Sequence, residues 1–239
     1  MACWPWTPMC LGCPTLSIDS TKNMKTDLII QRPKATDKAE LLLLFHGVGS
    51  SAENLAPLGQ ALALQRPDAW IVSVRSPEHS DFGQGWQWFS VQGVTELNRP
   101  DRVAVAMPAF MQRIQSWQSE TGVGPERTTL IGFSQGAIMA LESTQLADTT
   151  SHAASVIAIA GRFSKPPRRA PVNTTVHLLH GEQDQVMPIG LAVDAESDLR
   201  SLGALPTFDR FAGLGHGIDA RVVEAIGQRL RASSLENGS

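Results

Sequence analysis

Tyrosine is absent from this 239-residue chain, so no phenol can act as acid, base or nucleophile in its chemistry. The three cysteines, Cys3, Cys10 and Cys13, all lie in the opening Met1 to Cys13 stretch. Disulfides therefore cannot hold a core built from the rest, as expected of a protein in a reducing compartment such as the cytoplasm. No apolar run approaches the ~20 residues that a membrane-spanning helix needs. The longest, Leu41 to Phe45, has the length of a buried strand. Charge is nearly balanced, with 20 basic and 23 acidic residues and a net charge of -3. That balance offers no footprint for a phosphate backbone and argues against a nucleic-acid partner. H-E-x-x-H, a glycine-rich phosphate loop and G-x-G-x-x-G are also missing, so no metal or nucleotide cofactor is implied.

What is present is globular in make-up, with 42% hydrophobic and 18% charged residues. The first 23 residues differ from the remainder, combining all the cysteines with Trp4, Trp6 and several prolines. Cys10 and Cys13 form a C-x-x-C pair, but no second pair completes a metal site and no strand precedes it as in a redox site. A signal peptide is not supported, because the first lysine is Lys22 and Pro5 and Pro8 break the apolar stretch. Met24 opens a strand-like pattern. We therefore expect residues 1–23 to be a flexible or misassigned leader and residues 24–239 to form one domain.

From Asp27 onward, β-rich runs alternate with helical patterns, which predicts an α/β fold with a mostly parallel sheet covered on both faces. The expected strands are 28–31, 41–45, 70–74, 128–133, 155–160, 175–179 and 207–211. The expected helices are 52–64, 101–119, 135–146, 188–201 and 218–232. The clearest amphipathic stripe is Val103, Met107, Phe110, Met111, Ile114 and Trp117, spaced as one buried helix face. Pro108 within it is expected to bend the helix without ending it. Two stretches, 76–99 and 161–174, read as irregular.

One short sequence carries chemistry. Gly132-Phe-Ser134-Gln-Gly136 follows a β-branched run and leads directly into good helix formers. That placement suits a serine held on a tight strand-to-helix turn, where larger flanking residues would collide with neighbouring backbone. The helix N-terminus favours negative charge developing beside it. A serine hydroxyl needs a base, and imidazole is best matched to proton transfer near neutral pH. In strand-turn-helix sites of this kind the chain order is nucleophile, acid, histidine. His46 and His79 precede Ser134, and His152 follows too soon. His177 lies inside a strand, and His180 has no suitable acid before it. His216 remains, in the glycine-rich loop after the last strand. The matching acid is Asp184, just past the strand 175–179, with Glu182 as its rival. A tetrahedral intermediate also needs backbone donors; the expected pair is Val48, after His46-Gly47, and Gln135.

The alternative is that Ser134 is a turn residue and His216 a solvated loop residue, in which case the fold would serve as a binding module. His46 and His180 read as structural hydrogen-bonding residues. Trp86, Trp88 and Phe89 either line an acyl pocket or anchor a long loop; Trp88, Phe89 and Met187 are the pocket candidates. Arg162, Lys165, Arg168 and Arg169 sit among prolines, which suggests a solvated loop or, less simply, a surface for an anionic substrate.

Taken together, Leu-Phe-His46-Gly-Val-Gly, Trp88-Phe89, Gly-Phe-Ser134-Gln-Gly, His180-Gly-x-x-Asp184-x-Val-x-Pro188 and Gly215-His216 resemble the phospholipase/carboxylesterase family of α/β-hydrolases. This family includes acyl-protein thioesterases, and the strings are most similar to bacterial YpfH-type esterases. The resemblance runs from about Met24 to the C-terminal helix. It implies an α/β-hydrolase fold with no large lid, a Ser134, Asp184 and His216 triad, and an oxyanion hole at Val48 and Gln135. It further implies a cytoplasmic carboxylesterase for short to medium acyl chains that needs no cofactor, or else a thioesterase. One departure is Ser50, where many relatives carry an acidic residue. Oligomeric state is not legible in the sequence.

Overall fold

The computed structural model describes residues 26–35, 38–147 and 150–236. The expected leader 1–23, the C-x-x-C pair and Met24 lie outside them. A seven-stranded sheet runs in the order β1 (Leu28–Gln31), β3 (Ala69–Val74), β2 (Glu40–Phe45), β6 (Thr128–Phe133), β7 (Ser155–Ile159), β8 (Thr175–Gly181), β9 (Thr207–Phe211). Every pairing is parallel except that of β1 with β3. The helices α1 (Ala56–Gln65), α2 (Arg99–Thr121), α3 (Gln135–Ser143), α4 (Gly190–Ser201) and α5 (Ala220–Glu236) flank the sheet. The mostly parallel, doubly covered sheet is the one expected from the alternating pattern, and the architecture is the α/β-hydrolase fold that the resemblance implies.

Strand β2 shows why the sheet must be covered on both faces. All five residues of its Leu41 to Phe45 run are buried. Leu41, Leu43 and Phe45 enter the core beneath α2 and α3, while Leu42 and Leu44 enter the core with α1 and α5. Period-2 alternation thus splits one apolar strand between two cores. The α2 stripe is buried as expected, and the helix continues through Pro108. One of the two stretches without an expected element is partly structured. Residues 76–99, read as irregular, hold the hairpin β4 (Glu78–His79) and β5 (Trp86–Gln87), joined by an isolated bridge from Trp86 to Ser50.

The first strand is fixed by charge. Asp27 accepts hydrogen bonds from Arg113 and from the Arg75 amide at one oxygen, and from the Trp117 indole at the other. Its carboxylate is buried, so each contact matters more than it would in water.

His177 on β8 is also buried, with Nδ1 2.7 Å from the Thr207 hydroxyl and no partner at Nε2 among the described residues. Burial, and secondarily the nearby Arg229, push its pKa down to about 4 from 6.5. Below pH 6.5 the unfolded chain takes up a proton that the folded chain refuses. Stability carried by the neutral ring is therefore complete above pH 6.5 and falls as the pH drops towards 4, by at most about 3 kcal/mol. Urea unfolding at pH 7 and at pH 4.5 should show a smaller acid loss for His177→Gln than for the parent. An equal loss in both would assign the acid sensitivity elsewhere.

Candidate active site

All the elements that could carry chemistry end on the same edge of the sheet, the carboxyl ends of its parallel strands, where ligands bind in open α/β folds. Ser134 follows β6, Asp184 follows β8 and His216 follows β9. The structure brings these three side chains together: Ser134 Oγ lies 3.0 Å from His216 Nε2, and His216 Nδ1 lies 2.7 Å from Asp184 Oδ2. Ser134 has φ 54° and ψ -115°, outside the common left-handed well, and its amide donates to the Ile159 carbonyl at 2.9 Å. Such a backbone is strained for a non-glycine residue and persists because the surroundings hold it. Gly132 and Gly136 make the turn possible. A Cβ at Gly136 would fall on the Phe45 carbonyl, and one at Gly132 would lie 2.5 Å from the Ala137 and Gly136 backbone.

Asp184 is buried and fully engaged. Its Oδ1 accepts the Val186 and Met187 amides at 2.9 and 2.8 Å. Its Oδ2 faces both His216 and, at 3.3 Å, His180 Nε2. Backbone donors of this kind fix the plane of the carboxylate. The rival acid Glu182 points to solvent. The loop bearing His216 is joined to the Asp184 loop through the Gln183 amide, which donates to the Leu214 carbonyl at 2.9 Å. Phe133 packs against the His216 ring at 5.0 Å between centroids.

His46 and His180 take the structural places expected of them. His180 Nε2 lies 2.7 Å from the Met187 carbonyl, so it holds the turn that carries Asp184. His46 Nε2 accepts the Ser76 amide at 3.1 Å, which leaves its proton on Nδ1 to donate to the Gly47 carbonyl at 2.7 Å. Burial pushes its pKa down, favouring this neutral form. The Gly47 carbonyl and the Val48 N–H share one rigid peptide plane, so the ring also sets the direction of that N–H. The turn lies against the nucleophile, since a Cβ on Gly47 would sit 3.2 Å from Ser134 Cβ. Gln135 opens α3, where an N–H has no partner within the helix. Its side chain is occupied elsewhere: Oε1 accepts the Trp88 amide at 2.8 Å and Nε2 donates to the Phe89 carbonyl at 2.6 Å.

The pocket expectation is corrected in part. Trp88 and Phe89 are core residues, only 1% and 4% exposed. Trp88 stands edge-on to Phe45 and Phe110 and donates its indole N–H to the His46 carbonyl at 3.0 Å. A buried acceptor and two aromatic neighbours drew the ring inward, so Trp88 anchors its loop. Met187 lies on an open cleft of about 520 Å³. The basic cluster is not simply solvated either. Arg162 pairs with Glu96, and Arg168 with the buried Glu142, which also accepts the Ser164 amide and hydroxyl. Sequence reading missed Glu96 and Glu142 because each looks like an ordinary surface acid until its distant partner is known.

Comparison with known proteins agrees with this fold. Residues 26–234 match the phospholipase/carboxylesterase family. The chain is 43% identical over 208 residues to esterase YpfH of Escherichia coli, covering 87% of this chain and 89% of that protein. It is 27% identical to acyl-protein thioesterase 1 of Kluyveromyces lactis, covering 82% and 93% of the two chains. Among solved structures, esterase PE8 superposes with a TM-score of 0.76 at 29% identity, covering 86% of this chain and 96% of the other.

Proposed function

Because this chain belongs to the phospholipase/carboxylesterase family and is an esterase of the serine α/β-hydrolase type, we propose that Ser134, His216 and Asp184 are its catalytic triad and that it acts on short to medium acyl esters. The observation that carries the assignment is the continuous chain from Ser134 Oγ through His216 to Asp184, at 3.0 and 2.7 Å. His216 Nε2 removes the Ser134 proton as Oγ attacks the ester carbonyl. The Val48 and Gln135 amides receive the developing oxyanion, aided by the α3 N-terminus. Asp184 keeps the proton of neutral His216 on Nδ1 and stabilises the imidazolium, which then protonates the leaving alcohol. Water activated by the same histidine releases the acyl group from Ser134.

A fluorophosphonate reagent should add once to the folded protein, at Ser134, as intact mass and peptide mapping would show. p-Nitrophenyl esters of increasing chain length should then be turned over with an optimum at short to medium length. A folded sample that takes up no reagent would remove the triad assignment and favour a binding module of the same fold.

Similarity to a yeast acyl-protein thioesterase supports a second reading, in which the same groups cleave thioesters. Oxygen and sulfur esters of one acyl chain, compared by kcat/KM, separate the two. No helix among the described residues is long and apolar enough to cross a membrane, and the absence of cysteine beyond Cys13 supports placing the esterase in the cytoplasm.

A further inference from the structure

The cleft that Met187 lines has an unusual charge arrangement. Two of its walls are tied to the elements that carry the triad: the Met187 amide donates to Asp184, and Arg162 lies three residues beyond Ile159, whose carbonyl receives the Ser134 amide. Its walls combine Met187 and Leu191 with four charged residues, Glu96, Arg99, Arg162 and Asp194. Arg162 donates to the Glu96 carboxylate through Nη1 at 3.0 Å and Nη2 at 2.7 Å. Arg99 Nη1 lies 2.7 Å from the same carboxylate, but this buried nitrogen has no aligned hydrogen-bond acceptor among the described residues.

Burial decides which partners can exchange. The Arg99 and Arg162 side chains are only 15% and 16% exposed, whereas that of Glu96 is 65% exposed. Two largely desolvated guanidinium groups thus share one carboxylate that water already reaches. Arg99 and Arg162 hold the Glu96 carboxyl below its usual pKa, yet Glu96 is the one member of the cluster that water reaches, and a guanidinium presents the same forked donor to any carboxylate that takes its place. Asp194 faces the cleft from α4 but is exposed, so its charge is solvated.

Resting on the esterase reading above, we propose that the preferred substrates are esters bearing a second, ionised carboxylate, which Arg162 and Arg99 bind by displacing Glu96. The carboxylate belongs either to the acyl group, as in a half-ester of a dicarboxylic acid, or to the alcohol.

The test is a ratio of kcat/KM values measured on one protein sample. Mono-p-nitrophenyl glutarate is compared with p-nitrophenyl pentanoate for an acyl carboxylate, and 4-(carboxymethyl)phenyl butyrate with 4-methylphenyl butyrate for an alcohol carboxylate. One of the two anionic-to-neutral ratios should exceed one in the parent and fall at least tenfold in Arg162→Gln and in Arg99→Gln, mainly through KM. It should rise about threefold or more in Glu96→Gln, which leaves the arginines without their resident anion. Any general damage to folding or catalysis divides out of the ratio. Ratios below one in the parent, or unaltered in the arginine variants, would reduce these residues to a loop tether and overturn the proposal. Absence of turnover of every ester would overturn the esterase reading instead. In that event calorimetric binding of monomethyl glutarate against methyl pentanoate to Ser134→Ala, with and without Arg162→Gln, still decides the charge preference.

Discussion

Ser134→Ala is expected to lower kcat for p-nitrophenyl butyrate by about 10⁵-fold, to a remnant supplied by the oxyanion donors and binding alone. The loss is large because Oγ is the group on which His216 and Asp184 converge, at 3.0 and 2.7 Å along the chain. Without it, a correctly placed base has no proton to take. Fold and stability should change little, since the substitution removes one oxygen and keeps the buried Cβ. Circular dichroism and thermal unfolding would verify this on the same sample. Asp184→Asn should cost about 10⁴-fold by the separate route of leaving the wrong tautomer on His216. Removing both groups should cost scarcely more than removing Ser134, because they act as a unit. A Ser134→Ala protein that retained more than about one part in 100 of the parent kcat would place the nucleophile elsewhere.

Gly136→Ala is expected to be severely destabilising for a change of one methyl group. The added Cβ would strike the Phe45 carbonyl oxygen, approach the Phe45 carbonyl carbon at 2.6 Å and the His46 oxygen at 2.9 Å. All three atoms are backbone at the buried end of β2, paired on one side to β3 and on the other to β6. No side-chain rotation relieves the contact, so either α3 or the central strand must move. We expect a loss of about 3 to 5 kcal/mol, or no soluble protein, in the range of severe overpacking. Gly190→Ala provides the contrast. It opens α4 with nothing within 4 Å of the new methyl, and it should be neutral or stabilising by up to about 1 kcal/mol. Urea midpoints of the two variants give the comparison, and similar values for both would show that α3 yields where the geometry says it cannot.

Both expectations start from residues that the sequence marks plainly, and the reason is physical. Strands such as Leu41 to Phe45 are apolar because the sheet is covered on both faces, and that requirement leaves an unbroken run in the chain. Ser134 is legible through its flanking glycines, which a crowded turn demands, and Asp184 and His216 through their places after successive strands. What stays hidden depends on contacts between distant residues. The β4–β5 hairpin consists of two-residue strands, and one of them, Glu78–His79, is polar and exposed; its pairing is supported by Ser50 from another loop. Trp88 gives no sign in sequence of which way its ring turns, since that depends on Phe110 and the His46 carbonyl. Glu96 and Arg162 are 66 positions apart, and no local pattern joins them.

The buried carboxylate of Asp27 bears on how the protein can be handled. It is the anion that accompanies Arg113 within the fold, and it also engages Trp117 and the Arg75 amide. A shortened chain beginning beyond it would lose more than a frayed edge strand: the guanidinium on α2 would be left inside the protein without its counter-charge, a far worse defect than the missing residues themselves. Residue 27 is therefore the practical limit for N-terminal trimming, and affinity tags or fusion partners belong ahead of it.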